Sequence, residues 1–103
     1  MIDPITLSTL WHKLDTITRQ MGTIVERSAR SPIFTEAHDF SCFLTNGLGQ
    51  LLAQADGLPI HTGGAAETIK STIKAFEDIE AGDIFIANDP YLAAGAHLPD
   101  III

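Results

Sequence analysis

Cysteine occurs once in this chain, at position 42, so no internal disulfide can form and nothing in the composition asks for an oxidising compartment. No apolar run approaches the roughly 20 residues that a bilayer-spanning helix requires. The first residues, Met1-Ile2-Asp3-Pro4, show no basic stretch leading into an apolar one, so no secretory signal is visible. Basic residues are scarce: 6 Lys and Arg stand against 13 Asp and Glu, for a formal charge of −7. They are also scattered, at Lys13, Arg19, Arg27, Arg30, Lys70 and Lys74. Phosphate backbones and anionic bilayers are held by clustered Lys and Arg, so the composition argues against both nucleic acid and membrane as partners. The expected location is the cytoplasm.

What is present suits a small globular chain. Apolar residues make up 46% of 103 positions and charged residues 18%, enough for one modest core and against disorder. Asp3-Pro4 reads as a helix start, with Asp as N-cap and Pro at the first helical position. Beyond it Leu7, Leu10, Leu14, Ile17, Met21 and Ile24 recur at spacings 3, 4, 3, 4, 3, a helical stripe. Ser31-Pro32 should end that helix, because Pro disfavours helical geometry in the residue before it. A helix of that extent is roughly 40 Å long. Its apolar face therefore calls for a partner surface outside this chain or on another copy.

The period then changes. Phe40–Leu44 and Leu51–Ala55 flank Thr45-Asn46-Gly47-Leu48-Gly49-Gln50, and Asn-Gly is a hairpin signal because both residues tolerate positive φ. Gly57–Gly64 reads as a loop, followed by a second helix from about Ala65 to Glu77 with Ala66, Ile69, Ile73 and Phe76 on one face. Ala81-Gly82-Asp83 reads as a turn into a buried strand, Ile84–Ala87, and Ile101–Ile103 as the opening of another strand. The expected class is α+β: a long N-terminal helix packed on a mixed or antiparallel sheet with a β-hairpin and a second helix. Residues 1–103 form a single N-terminal segment in this reading, an incomplete fragment of a larger fold, because an apolar strand ending at Ile103 leaves an open edge.

Chemistry concentrates near the end, in Asn88-Asp89-Pro90-Tyr91 and His97-Leu98-Pro99-Asp100. An imidazole and a carboxylate three residues apart can both ligate a borderline cation such as zinc, iron or manganese. A hydrogen-bonded surface loop with no metal accounts for the same spacing. Asp89 is the nearest further donor, but Asn and Asp before Pro commonly close turns on their own backbone. His61 precedes the second helix, where an anionic substrate group can be received, or where the ring simply caps backbone groups. Cys42 sits in an alternating strand, the usual setting of a buried inert thiol. His38 and Asp39 read as a surface pair, and His12 as solvent-facing.

Taken in order, these pieces resemble the N-terminal part of the hydantoinase B/5-oxoprolinase family, which includes N-methylhydantoinase B subunits and the large subunit of acetone-type carboxylases. The matching residues are Asp3-Pro4-Ile5-Thr6-Leu7, Met21-Gly22, Ser31-Pro32, Asp39-Phe40-Ser41-Cys42 and Leu52-Ala53-Gln54. They continue with Ile60-His61-Thr62-Gly63, Gly82-Asp83-Ile84-Phe85, Asn88-Asp89-Pro90-Tyr91 and His97-Leu98-Pro99-Asp100. Where many relatives carry Gly-Gly-Thr before the histidine, this chain has Leu92-Ala93-Ala94-Gly95-Ala96. The resemblance implies a subunit of an ATP-dependent amidohydrolase that opens a cyclic amide (hydantoin or 5-oxoproline), or of a related ketone carboxylase. It implies His97 and Asp100 as metal ligands, completed by a histidine further along the family's chains, and a divalent transition metal (zinc, manganese or iron) as cofactor. Asp89 and His61 would face substrate, and no residue is assigned as catalytic. The implied partners are a hydantoinase A-type subunit that handles ATP, and further copies of the same chain in a homo-oligomer. On its own the 103-residue segment is expected to be inactive. The competing expectation is a truncated, non-catalytic interaction module that self-associates through its helix stripe and open sheet edge.

Overall fold

Asp3 starts the first helix as the sequence predicts. In the computed structural model, which describes residues 1–55, 59–91 and 97–103, its carboxylate accepts from the backbone N–H of Ile5 and Thr6 at 3.1 and 3.0 Å. These bonds satisfy two of the orphan donors at a helix start. The Thr6 hydroxyl foremost, and then these backbone bonds, hold the Asp3 carboxyl below its ordinary value. Helix α1 runs Pro4–Ser28, 25 residues, and ends when the chain turns extended at Ala29. It is therefore a few residues shorter than the Ser31-Pro32 signal implies. Pro32 does not merely stop a helix; it opens a second, single-turn one, α2 (Pro32–Thr35), with Ser31 as its N-cap. Proline fits that first position because its missing N–H has no partner to lose there.

The hairpin forms, with β1 (Phe43–Thr45) antiparallel to β2 (Leu51–Gln54). Phe43 pairs with Gln54 and Leu44 with Ala53, and the register then slips so that Thr45 pairs with Leu51. Both strands are shorter than predicted. Pairing continues one step further through the Ala55 N–H, which donates to the Cys42 carbonyl at 2.9 Å. The positive φ in the connection belongs to Gly49 (76°), not to the Asn46-Gly47 pair that carries the sequence signal.

A second difference concerns the next helix. Helix α3 runs Pro59–Ala75 and begins inside the segment expected to be a loop. Pro59 takes the first helical position, and Thr62, Gly63 and Gly64 are carried along in spite of their weak propensity. Phe76 falls beyond the helix end and pairs instead with Phe85, ring centroids 4.8 Å apart. The expected buried strand at Ile84–Ala87 is also absent. Only Phe85 and Ala87 are half-buried, while Ile84 and Ile86 are 78% and 72% exposed. The turn before it stands: Gly82 has φ 101°, and the Asp83 carboxylate accepts from the Glu80 N–H at 2.9 Å.

The described residues divide into two compact units, Met1–Asn46 with Leu51–Leu58, and Gly47–Gln50 with Pro59–Ile103. In the first, α1 lies against β1, β2 and α2. The face it buries centres on Thr18 and Gly22, with Leu14, Met21, Val25 and Ala29 half-buried around them. That face is rotated by roughly a quarter-turn from the predicted stripe. Leu7, Leu10, Ile17 and Ile24 of the stripe are exposed. Thr18 is fully buried and turns its hydroxyl back to the Asp15 carbonyl at 2.8 Å, so no polar atom is stranded.

In the second unit the hairpin tip meets α3. A Cβ on Gly49 would lie 3.3 Å from the Ala66 carbonyl oxygen and 3.4 Å from Ile69 Cγ2. Both positive φ and close approach therefore require glycine there. Gly22 is different, because a Cβ there would meet Phe40 Cε2 and Ala55 Cβ at 3.6 and 3.8 Å, ordinary contact distances. Chemical denaturation should separate the two. Gly49→Ala is expected to destabilise by about 1–2 kcal/mol. Gly22→Ala, in a helix interior with room for a methyl, should instead stabilise by up to about 1 kcal/mol.

Candidate functional site

The loop carrying Asp89, His97 and Asp100 is closed at its neck by an isolated antiparallel bridge. Ala87 and Ile102 exchange both backbone bonds, Ala87 N–H to Ile102 O at 2.9 Å and Ile102 N–H to Ala87 O at 2.8 Å. This single bridge is what forms of the strand expected at Ile101–Ile103. Residues equally far from an antiparallel pair oppose each other. Asp89 follows Ala87 by two residues and Asp100 precedes Ile102 by two, so each lies just inside the neck, on opposite arms of the loop.

Each rim is shaped by its own acid. The Asp89 carboxylate accepts from the Tyr91 N–H at 2.8 Å across Pro90, the turn-closing role that an acid before proline favours. On the other rim, Asp100 Oδ2 accepts from the His97 N–H at 3.1 Å, and the Asp100 N–H donates to the His97 carbonyl at 3.0 Å. The H-x-x-D spacing thus folds into a reciprocal turn. It engages one carboxylate oxygen of Asp100 and leaves the His97 side chain exposed. A carboxylate has a second oxygen, so this turn presents two donor atoms of the kind that borderline cations accept. Among the described residues, no group of three or more His, Cys, Asp and Glu side chains is arranged to hold a metal.

The remaining sequence candidates separate from this loop. His61 falls in the first turns of α3, and its side chain lies outside the described residues, as do Leu92–Ala96. Cys42 is 8% exposed, and burial pushes its thiol up, the behaviour of an inert core cysteine. His38 Nδ1 faces Glu26 Oε2 of α1 at 3.9 Å. It also adopts φ 51°, a left-handed conformation that a non-glycine residue rarely takes. Histidine, with asparagine and aspartate, is among the few non-glycine residues enriched in that region, so the residue type gives a weak signal for it.

The chain belongs to the hydantoinase B/oxoprolinase family, whose model matches residues 3–103. It is 39% identical over 103 residues to the 5-oxoprolinase of Saccharomyces cerevisiae, covering 99% of this chain and 8% of that protein. It is 36% identical over 100 residues to caprolactamase subunit beta of Pseudomonas jessenii, covering 96% of this chain and 17% of that subunit. An uncharacterized protein of Methanocaldococcus jannaschii is 38% identical over 104 residues, covering 97% of this chain and 18% of its own. The chain thus spans between 8% and 18% of the length of these relatives. No solved structure matches it. Among the described residues, no helix is long and apolar enough to cross a membrane.

Two outcomes check the site's geometry. Asp100→Ala removes the acceptor of the His97 N–H and should cost about 1 kcal/mol of local stability, read as faster amide exchange at His97. Asp100→Asn, which keeps a side-chain oxygen, should leave exchange near the parent rate. Separately, Asp3 stabilises the start of α1 in its charged form. With its folded value lowered, that contribution is present above the ordinary 3.8 and is lost as pH falls through the folded value. The Ile5 and Thr6 amide resonances should therefore titrate with a midpoint below 3.8.

Proposed function

We propose that this segment serves a hydantoinase B-type subunit of an ATP-dependent amidohydrolase acting on a cyclic amide such as hydantoin or 5-oxoproline. Support comes from the family membership and from relatives named as a 5-oxoprolinase and a caprolactamase subunit. Ketone carboxylation is the neighbouring chemistry under the same resemblance. The observation that carries a site within this segment is the closed loop, which sets the His97–Asp100 turn on one rim and Asp89 on the other.

In this reading His97 and Asp100 hold a divalent transition metal (zinc, manganese or iron), with the remaining ligands supplied from outside residues 1–103. Such a cation, when bound, polarises a carbonyl oxygen. Asp89 and His61 face the substrate, where a carboxylate orients amide N–H groups and an imidazole moves or holds a proton. A hydantoinase A-type partner handles ATP, and the assembly works in the cytoplasm. The non-catalytic alternative accounts for the exposed apolar stripe of α1.

The test uses a hydantoinase B-type subunit that carries this segment, assayed with its A-type partner. Elemental analysis should find a transition metal, and ring opening of 5-oxoproline, hydantoin or caprolactam should require ATP. His97→Ala together with Asp100→Ala should lower metal content and turnover at least about tenfold. Undiminished metal and turnover in that double variant would remove the site assignment. Residues 1–103 alone should turn over none of these substrates.

A further inference from the structure

The Asn46-Gly47 pair announces a hairpin in sequence, yet neither residue takes the left-handed conformation of that turn, which falls to Gly49. The pair has a chemistry of its own. An asparagine side-chain carbonyl lies within reach of the next residue's backbone nitrogen, and the two can close a five-membered imide ring. Bulk on the following residue, or a hydrogen bond that occupies its N–H, restrains that closure. Gly47 offers neither restraint. It carries no Cβ, and one built there would meet no heavy atom within 4 Å. It lies exposed on the turn beside Leu48, itself 71% exposed. Among the described residues its N–H donates to no backbone acceptor.

We propose that Asn46 is a modification site, converting without an enzyme through a succinimide closed by the Gly47 nitrogen. That nitrogen, its proton lost to solvent, attacks the Asn46 side-chain carbonyl carbon. A new C–N bond forms, the Cγ–Nδ2 bond breaks, and the nitrogen leaves as ammonia with a solvent proton. Water then opens the ring at one of its two carbonyls. Opening at the side-chain carbonyl leaves aspartate in an ordinary backbone. Opening at the main-chain carbonyl leaves isoaspartate, with the side-chain methylene now part of the main chain. Either product adds a negative charge to a chain that already carries −7. Asn88 is the contrast, because the Asp89 side chain crowds the attacking nitrogen there and its charge disfavours the deprotonated amide.

The position of the pair gives the two products different consequences. The Asn46–Gly47 peptide bond is a covalent junction between the two compact units. Two residues further on, Gly49 passes so close to α3 that a Cβ would lie 3.3 Å from the Ala66 carbonyl oxygen. Isoaspartate lengthens the main chain by a methylene just before that contact, and aspartate does not. The isoaspartyl form therefore loosens the hairpin tip from α3, while the aspartyl form changes charge alone.

Incubating the folded 103-residue chain at mildly alkaline pH, in water enriched in the heavy oxygen isotope, tests the proposal by peptide mass spectrometry with fragmentation. Labelled aspartyl and isoaspartyl forms are expected at position 46, at a rate that rises with pH, with Asn88 unchanged over the same interval. Gly47→Ala, which the open space and the absence of positive φ allow to fold, should lose the product over that interval. Asn46 that stays intact while a free peptide of residues 43–50 converts would overturn the proposal. Conversion at Asn88 as fast as at Asn46 would overturn it too. Amide exchange across α3 then compares the isoaspartyl chain with Asn46→Asp. Faster exchange in the isoaspartyl chain alone is expected, and equal exchange in the two would overturn the coupling to α3.

Discussion

The face that α1 turns inward governs the first compact unit. Phe40 and Ala55 pack against the helix at Gly22, one turn beyond Thr18, where the space takes a methyl group and little more. Larger residues on the same line would push the hairpin outward and take Cys42 and Ala55, the buried apolar side chains of the described residues, toward water. So small a core stabilises the chain only modestly, because hydrophobic stabilisation scales with the apolar area removed from solvent. The contrast with the amount of exposed Leu and Ile on α1 is large.

That choice of face explains why the helix was legible in sequence and its orientation was not. Asp3-Pro4 and the spaced Leu and Ile residues announce a helix, and a helix forms. Hydrophobic periodicity identifies the most apolar line, however, and the intrachain contact selects the line with the smallest side chains. The hairpin shows the same division. Asn46-Gly47 points to a reversal, but the left-handed residue is Gly49, where a side chain's Cβ would come within 3.3 Å of the Ala66 carbonyl oxygen, far along the sequence. At α3, local propensity argued for a loop through Thr62-Gly63-Gly64, and the helix runs through it from Pro59. Its first turns cannot be anticipated from weak helix formers.

The candidate site divides along similar lines. Asp89 before Pro90 forms the turn that its residue types favour, and His97 with Asp100 forms a reciprocal one, so both local conformations were written in neighbouring residues. Their placement on the two arms of one closed loop was not. It depends on Ala87 meeting Ile102, two apolar residues that carry no chemistry and whose pairing no local pattern specifies. The triple isoleucine announced a strand, and what forms from it is a clasp of one residue pair.

That clasp gives the loop the economics of a ring closure. The fourteen positions 88–101 are tethered by one pair of backbone hydrogen bonds, so the effective concentration of one arm at the other is set by main-chain atoms and not by the acids themselves; closing such a ring costs on the order of 2–3 kcal/mol of chain entropy. Side-chain changes at position 102 would leave the clasp's bonding atoms in place. Proline there would delete the Ile102 N–H that reaches Ala87 and let the ring open. The acids would then keep their own turns while the loop that carries them lost its closure, with no chemical group removed.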